Sequence, residues 1–474
     1  MYQTFDNTTD NSNLIKKIST NETISNSLNN LDYKGRYLRL SDGITFSRKI
    51  DSDSEWSNDF YFSYDRNLIN QDYTTNFTTP VIFTNGGFGS PDNDRNYFSF
   101  TSDLKKKLQH RLTIEAGVKS SLMNYKSEAE YFKGSGSSSV KDLSRTNTFH
   151  YRENINAAYL QASKTFGKNI ILKTGARVEN TNMNGHQLVP ADTSFTLHRT
   201  DLFPYVYLSK KIMTIAGYDL RAYLVARRTI VRPVYEQLNP FPKYVDQYLS
   251  EVGNPRLRPQ FTTYSEANIS VDERPLFAIG VNDTKDIFNQ VVYRSDTSSR
   301  QSYRTYDNLG KNKEWYLRGL GAIPPGKRYF FVVGAQYNHN YYQGLYEGQP
   351  FSFEKGSWTF FTYHSLKLDK RSQLSVNGFV RFRGQQGFYE LGTFGSLNSS
   401  INRQFLKQKL TITLSANDIF STNKNEFTIN QGSIDATGVR QGDTHRFGLN
   451  VRYNFGIRKK EESNPFNIEA PATN

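Results

Sequence analysis

An alternation of apolar and polar residues runs without a break through residues 445–456, "HRFGLNVRYNFG". The apolar and aromatic row consists of Phe447, Leu449, Val451, Tyr453 and Phe455. Arginine, asparagine and glycine occupy the positions between them. Because successive side chains of a strand point to opposite faces, a period of two over this length predicts a β-strand with one apolar and one polar face.

The same period recurs along most of the chain. It is clearest in the segments 55–65, 110–122, 169–180 and 371–384. Many patterned segments extend for about ten to fifteen residues, whereas the strands of globular proteins usually number five or six. A tilted strand needs about 9–11 residues to cross a membrane, so these lengths favour membrane-spanning strands.

The connections between the patterned segments alternate in length. Short polar turns follow Lys107, Phe166, Met213, Asp272, Leu368 and Leu406. Long polar stretches lie at residues 127–147, 182–197, 232–260, 343–355 and 421–442. Short turns at one end and long loops at the other are typical of outer-membrane barrels, whereas the soluble alternative, a β-sandwich, lacks this alternation. The sequence therefore predicts an all-β fold, a transmembrane antiparallel up-and-down β-barrel of about 16–18 strands.

We expect the barrel to occupy residues 36–456, after a weakly patterned N-terminal segment, residues 1–35, and before a polar periplasmic tail, residues 457–474. Single-chain bacterial barrels have even strand numbers, and about 17 strands are counted from Arg36 onward. One more strand is therefore expected to be missing or hidden in residues 1–35. The N-terminus also lacks the apolar core of a signal peptide, so we expect this chain to be part of a longer protein.

Composition excludes several classes of protein. The chain of 474 residues has no cysteine, which excludes disulfides and thiolate metal sites. Its net charge of +14 comes from basic residues spread along the chain, without the Lys/Arg block typical of nucleic-acid binding. The seven histidines are scattered and form no metal-binding motif. We therefore expect no nucleic-acid partner, no metal and no cofactor.

Charged residues on the polar faces are the candidate site residues. A charge on the lipid face costs about 2–4 kcal/mol at the bilayer midplane, so the alternation predicts that these residues face the lumen. They are Glu115, Lys119, Lys173, Arg177, Glu179, Arg381, Arg383, Arg446 and Arg452. Two roles stay open for them: selection of a solute, or mutual pairs that stiffen the wall and contact a plug domain.

The most specific motifs lie in the segment 232–260, which contains "RPVYEQLNPFPK" and "GNPRLRP". This segment resembles the mid-barrel signature of TonB-dependent outer-membrane receptors. The matching residues are Arg232, Pro233, Asn239, Pro240, Gly253, Asn254, Pro255 and Pro259. Because the prolines fix φ and remove main-chain donors, the segment is predicted to be a shaped loop at the extracellular end and not a central strand.

The resemblance implies uptake of a scarce ligand, such as a metal chelate or a glycan, across the outer membrane. It also implies partners, namely outer-membrane lipid, the barrel assembly machinery, a plug domain and a TonB-type energy coupler. The sequence departs from the family pattern, because it shows no plug domain or energy-coupling box and too few strands for a barrel of about 22.

Two alternatives to a receptor therefore stay open. The first is a plugless passive pore, in which the charged lumen alone sets selectivity. The second and more distant alternative is a barrel hydrolase built on His364 with Ser365, or on His198 with Asp201. Since such pairs arise by chance in a chain of this length, we expect a transport protein and not an enzyme.

Overall fold

A computed structural model of the chain describes residues 2–17, 22–134, 138–167, 169–215, 217–244, 249–271, 274–295, 298–323, 328–386, 389–431 and 434–455. Up to residue 251 the strands are β1 (Tyr2–Lys17), β2 (Glu22–Lys49), β3 (Ser54–Thr79), β4 (Phe83–Leu108), β5 (Leu112–Lys133), β6 (Val140–Lys141), β7 (Asn147–Phe166), β8 (Ile170–Val189), β9 (Thr193–Ile215), β10 (Tyr218–Val231), β11 (Lys243–Tyr244) and β12 (Leu249–Glu251). A short helix, α1 (Tyr235–Leu238), lies between β10 and β11.

The remaining strands are β13 (Gln260–Val271), β14 (Arg274–Ser295), β15 (Ser298–Ile323), β16 (Tyr329–Tyr346), β17 (Gln349–Lys367), β18 (Ser372–Arg381), β19 (Gly384–Gln386), β20 (Tyr389–Leu391), β21 (Phe394–Phe405), β22 (Leu410–Asn417), β23 (Lys424–Gln431), β24 (Ile434–Gln441) and β25 (Arg446–Tyr453). Within the described part of the chain, no helix is long and apolar enough to cross a membrane. By its internal contacts the chain divides into two compact units. The first comprises Met1–Lys210, Val225–Tyr264 and Thr284–Gly310, and the second comprises Lys211–Leu224, Ser265–Asp283 and Lys311–Asn474.

Antiparallel pairing of sequence neighbours organises the strands. Of the described strands, 21 belong to one sheet, and β19, β20, β23 and β24 form a second, smaller sheet. Three of the 21, namely β6, β11 and β12, have only two or three residues each, which leaves 18 long strands in the larger sheet. Unbroken antiparallel ladders join, for example, β4 with β5 and β16 with β17. The predicted strand number and up-and-down order are confirmed.

Two of the predicted long loops are strands. Most of residues 182–197 belongs to β8 and β9, and most of residues 343–355 belongs to β16 and β17, which are joined through Glu347 and Gly348 alone. The prediction of loops was wrong because polar residues occupy both faces of these extensions, which removes the alternation but leaves main-chain pairing intact. In the same way, residues 421–442 contain the β23–β24 hairpin of the smaller sheet.

The N-terminal segment also differs from the prediction. Strand β2 runs through the predicted boundary at residue 36 and pairs with β1, in a ladder that extends from Tyr2 opposite Leu38 to Lys17 opposite Glu22. The described part of residues 1–35 therefore forms β1 and the first half of β2. Asparagine, threonine and serine on both faces of β1 explain why it has no amphipathic pattern. The tail predicted for residues 457–474 lies outside the described residues.

The larger sheet has two faces of opposite character. In the β8–β9 ladder, Val178 lies opposite Leu202, and Glu179 lies opposite Asp201. Val178 and Leu202 are 45% and 50% exposed, whereas Glu179 and Asp201 are each 7% exposed. Apolar side chains are thus exposed and charged ones buried, which is the reverse of a soluble protein. We call the apolar side the outer face and the charged side the inner face.

The apolar part of the outer face is nearly as tall as the apolar band of an outer-membrane barrel. Along β8 it extends from Ile170 to Val178. These eight residue steps correspond to about 26 Å of strand at roughly 3.3 Å per residue. A strand tilt of about 40° reduces this to roughly 20 Å of height, close to the ~25 Å apolar band of outer-membrane barrels. The match indicates that this band contacts lipid.

Two neighbouring positions on β25 test the assignment of faces. Val451 lies on the outer face opposite Ile412, and Asn450 lies on the inner face opposite Thr413. Val451→Arg is expected to reduce the yield of assembled protein strongly, because a charge on the lipid face costs about 2–4 kcal/mol. Asn450→Arg introduces the same side chain on the inner face and serves as the control. Heat-modifiable migration of outer-membrane fractions measures assembly, and equal yields of the two variants would contradict the assignment.

Candidate lumen site

Clusters of ion pairs link neighbouring strands on the inner face of the first compact unit. Asp65 on β3 accepts hydrogen bonds from Arg95 at 2.6 Å and from the Tyr37 hydroxyl at 2.8 Å. Its other neighbour, Arg39, lies 3.4 Å away. The Asp65 side chain is nearly buried, and a buried carboxylate is stable only when its charge is paired and hydrogen-bonded. This cluster therefore ties β2, β3 and β4 together.

A second cluster is centred on Glu179 of β8. Its carboxylate accepts a hydrogen bond from Arg177 at 2.5 Å, and Arg232, which follows β10, donates to the other carboxylate oxygen. Arg232 also donates to the Thr181 hydroxyl at 3.1 Å. Arg177 and Glu179 were predicted to face the lumen and Arg232 to belong to the motif loop, and the structure brings the three together.

Three other predicted residues lie on the same inner face, at the level of the lipid-contacting band. Glu115 pairs with Lys105 at 3.4 Å and accepts a hydrogen bond from Gln161 at 3.1 Å. The ammonium group of Lys173 lies 5.7 Å from the centre of the Tyr207 ring, which suits a cation–π contact. Lys119 is half-buried on β5 and lies opposite Ala157. Among the described residues, no hydrogen bond or ion pair joins Lys119 to the Glu179 cluster.

The remaining predicted residues lie in the second compact unit. Arg383 donates to Glu390 at 2.6 Å, and Lys355 donates to the same carboxylate at 2.5 Å. Arg381 donates a long hydrogen bond of 3.4 Å to Gln386. Arg446 pairs with Asp443 at 3.0 Å in an exposed position, and Arg452 lies exposed opposite Thr411. Of these four arginines, only Arg383 joins a compact charged cluster.

The described parts of the motif segment, residues 232–244 and 249–259, form a connection between β10 and β13 that we call the folded connection. Gly253 donates its main-chain N–H to the Asn239 carbonyl at 2.8 Å, and Asn254 donates to the Gln237 carbonyl at 2.6 Å. The Asn254 side chain caps the turn by accepting from the Arg256 N–H at 3.0 Å. The two motifs that resemble the receptor family thus bind each other. Pro233 and Pro259 are buried, and Pro240 and Pro255 are half-buried. Because proline has no main-chain N–H, the burial of these four residues leaves no proline donor unsatisfied.

The folded connection packs on the inner face of the wall. Leu238 and Leu257 join a buried cluster with Phe149, Tyr151 and Met183. Phe149 is completely buried and Met183 is 2% exposed. The ring of Tyr235 in α1 lies 3.6 Å from that of Tyr125 on β5. An apolar core therefore holds the connection in place, in addition to the Arg232 ion pair.

Burial in this core alters the acidity of several groups that lie above the lipid-contacting band. It raises the pKa of the Tyr125 hydroxyl to about 12 and raises the pKa of the Tyr151 hydroxyl further. Burial also raises the pKa of the Glu153 carboxyl, although Tyr151 donates a hydrogen bond to it at 3.0 Å. The two tyrosines are therefore neutral donors at physiological pH, which keeps the core free of phenolate charge.

Alternation alone does not single out some of the buried charges. Asp65 is one example, and Glu266 of the second unit is another, since it accepts from Tyr316 at 2.7 Å and also from Arg318. Glu266 is 7% exposed. The available signal is the spacing i, i+2 of two polar groups on one face, as in Arg177 with Glu179 or Tyr316 with Arg318. That spacing indicates a shared face but not the partner on the next strand.

The two pairs considered for a hydrolase do not form in the structure. His364 contacts the Tyr329 hydroxyl at 2.6 Å, while Ser365 accepts from Gln373 on the opposite face. His198 contacts Asn182 on the outer face, while Asp201 accepts from Arg199 on the inner face. Among the described residues, no group of three or more His, Cys, Asp or Glu side chains is placed to hold a metal ion.

An up-and-down antiparallel sheet with a lipid-contacting outer face and an ion-paired inner face defines an outer-membrane β-barrel. Residues 48–453 match the model of the Outer membrane protein beta-barrel family. The chain belongs to this family, and its location is the outer membrane.

Solved structures of similar fold are receptors and transporters of the outer membrane. The ferric-catecholate import receptor Fiu from K12 E. coli has a TM-score of 0.55 and 12% identity, covering 93% of this chain and 66% of that chain. The ferric yersiniabactin uptake receptor FyuA from Yersinia pestis has a TM-score of 0.53 and 11% identity, covering 96% and 74%. The copper transporter OprC has a TM-score of 0.54 and 10% identity, covering 96% and 76%.

Identities this low establish a shared fold and nothing finer. At that level, the predicted resemblance to TonB-dependent receptors is confirmed. A search of curated protein sequences finds no match.

Removing Arg232 tests whether its ion pair holds the folded connection. Arg232→Met leaves Glu179 with one cation fewer in a buried site, which is expected to cost roughly 3 kcal/mol of unfolding free energy. Urea titration of the detergent-solubilised protein measures this loss, and trypsin cleavage within residues 232–259 reports detachment. Arg258→Met is the control, because Arg258 pairs with Asp286 in an exposed position and its loss costs at most about 1 kcal/mol. Equal effects of both variants would show that the Arg232 pair is not the anchor.

The close approach of the two motifs gives a second test. A Cβ atom added at Gly253 would lie 2.3 Å from the Asn239 carbonyl oxygen, with main-chain atoms on that side. Gly253→Ala is therefore expected to separate the two motifs and to increase proteolysis of the connection. Gly319→Ala provides the matched control, since nothing lies within 4 Å of its added Cβ. Identical protease resistance of both variants would contradict the close approach.

Proposed function

We propose that this chain forms the barrel of a TonB-dependent receptor that takes up a scarce ligand across the outer membrane. The observation that carries the proposal is the folded connection 232–259, which binds the inner face through Arg232 and a buried apolar core. A site that discriminates among ligands needs a rigid, preorganised inner surface, and the connection supplies one. A passive pore needs only a wide, wet passage.

The relatives of similar fold support a metal-containing ligand. Their structures are described as an import receptor for ferric catecholates, an uptake receptor for ferric yersiniabactin and a copper transporter. We infer that this chain takes up a metal chelate, with a glycan as the second candidate. The inner-face groups predicted from the sequence, above all Arg177, Glu179 and Arg383, would contact the ligand or a plug domain.

The proposal requires further partners. A plug domain would rest against the inner face, and a TonB-type coupler would supply energy from the inner membrane. Outer-membrane lipid would surround the outer face, and the barrel assembly machinery would insert the chain. A passive pore would need only the last two.

Energy dependence distinguishes a receptor from a pore. Cells that carry the gene are expected to accumulate either copper or iron, the iron being supplied as a ferric catecholate or as ferric yersiniabactin. A protonophore should abolish that accumulation. A strain with the gene deleted is the control for other uptake routes. Accumulation that persists after the protonophore, together with increased sensitivity to a large antibiotic that the outer membrane normally excludes, would favour the passive pore and contradict the receptor.

A further inference from the structure

The upper edge of the apolar outer face is sharply defined on four adjacent strands of the first unit. On β4, β5, β7 and β8 the apolar row that faces the lipid ends at Phe98, Leu122, Ala158 and Val178, and at least three polar residues follow on the same face of each strand. The next outer residue above each of them is an asparagine. These four are Asn96, Asn124, Asn156 and Asn180, and we call them the amide belt. Because the lipid tails end where the apolar face ends, the amide belt lies at the headgroup layer of the membrane.

The amide groups around this belt are held by hydrogen bonds. Asn156 donates to Asn154 at 2.5 Å and accepts from the Ser120 hydroxyl at 2.7 Å. Asn180 donates to the Thr200 hydroxyl at 3.1 Å and accepts from Asn182 at 2.6 Å. Each amide has two N–H donors and two acceptor lone pairs, so these exposed groups retain capacity for hydroxyl groups of a bound molecule. A fixed array of neutral donors and acceptors suits a saccharide.

One cation stands within this surface. Arg152 lies on the outer face of β7, four residues above Asn156, and is opposite Asn124 on β5 and Asn184 on β8. It is exposed, and no ion pair joins it to any described residue. Two other cations on the outer face above the apolar row are paired, namely Arg66 of β3 with Asp92 at 2.7 Å and Lys126 of β5 with Glu128 at 2.7 Å.

We propose that the amide belt and Arg152 form a binding surface for the phosphorylated saccharide headgroup of a glycolipid in the outer leaflet. The asparagine side chains would donate to and accept from sugar hydroxyls, while the Arg152 guanidinium would bind a phosphate group through two parallel N–H···O bonds. The apolar residues directly below would contact the acyl chains of the same molecule. This surface is on the outer face, so its role is separate from ligand uptake through the lumen.

Lipid binding to the purified full chain in nanodiscs tests the proposal. The probes are lipopolysaccharide with its lipid A phosphates, the same lipid after enzymatic dephosphorylation, and phosphatidylglycerol. The chain is expected to prefer the phosphorylated glycolipid over both others. Arg152→Gln should weaken binding of that glycolipid about tenfold, the effect of losing one charge-assisted phosphate contact, and leave the dephosphorylated form unaffected.

Two matched variants complete the experiment. Arg66→Gln also removes one positive charge from the outer face above the apolar band, but its partner is Asp92, so glycolipid binding should remain unchanged. The double variant Asn124→Ala with Asn156→Ala should weaken both forms of the glycolipid equally, because it removes sugar contacts and no phosphate contact. Equal losses in Arg152→Gln and Arg66→Gln, or equal binding of phosphatidylglycerol, would overturn the proposal. Heat-modifiable migration verifies that each variant is folded.

Discussion

Main-chain hydrogen bonding in a medium without water is the constraint on which this structure depends. A strand that crosses the hydrocarbon layer must satisfy each N–H and C=O group through its neighbours, since each unmet group costs several kcal/mol. The ladders that meet this need, such as β4 with β5 along 22 paired positions, are longer than the band that contacts lipid. Pairing, and not burial of apolar side chains, therefore holds the wall together, and it leaves the side chains free to sort by face.

That sorting makes the inner face electrostatic. Charges excluded from the lipid side meet one another on the inner face, where carboxylates such as Asp65, Glu179 and Glu266 each have at least one cation as a partner. The folded connection 232–259 uses the same chemistry to attach itself, because Arg232 completes the Glu179 cluster. Its apolar residues then bury the tyrosines and methionine of the inner wall. The Glu179 carboxylate thus links the stability of the wall to the position of the folded connection.

The predictability of the structure follows the same division. Alternation in segments such as 169–180 is imposed by lipid on one side and water on the other, so strands, faces and the inward position of Arg177 and Glu179 were predictable. Where polar residues stand on both faces of a strand, as along β1 and the ends of β8 and β9, the alternation disappears and the sequence predicts loops in place of strands. Partners on other strands, such as Arg232 for Glu179, depend on register, which a single strand does not encode. The family resemblance indicated the importance of residues 232–260 but not their contact with the wall.

The length of the paired hairpins has a consequence for what the cell surface displays. The unbroken apolar row on the outer face of β3 ends at Tyr64, which Arg66 follows, and the strand continues to Thr79, about 50 Å beyond Tyr64 at roughly 3.3 Å per residue. Even at a tilt of about 40° this extension rises higher than the ~30 Å thickness of the hydrocarbon layer. Antibodies and other large particles therefore meet the hairpin ends before they meet any lipid. Because main-chain pairing maintains those ends together with a few side-chain contacts, such as the stacked rings of Phe77 and Phe83, the other side chains are free to vary, and antigenic change can proceed there without loss of the barrel.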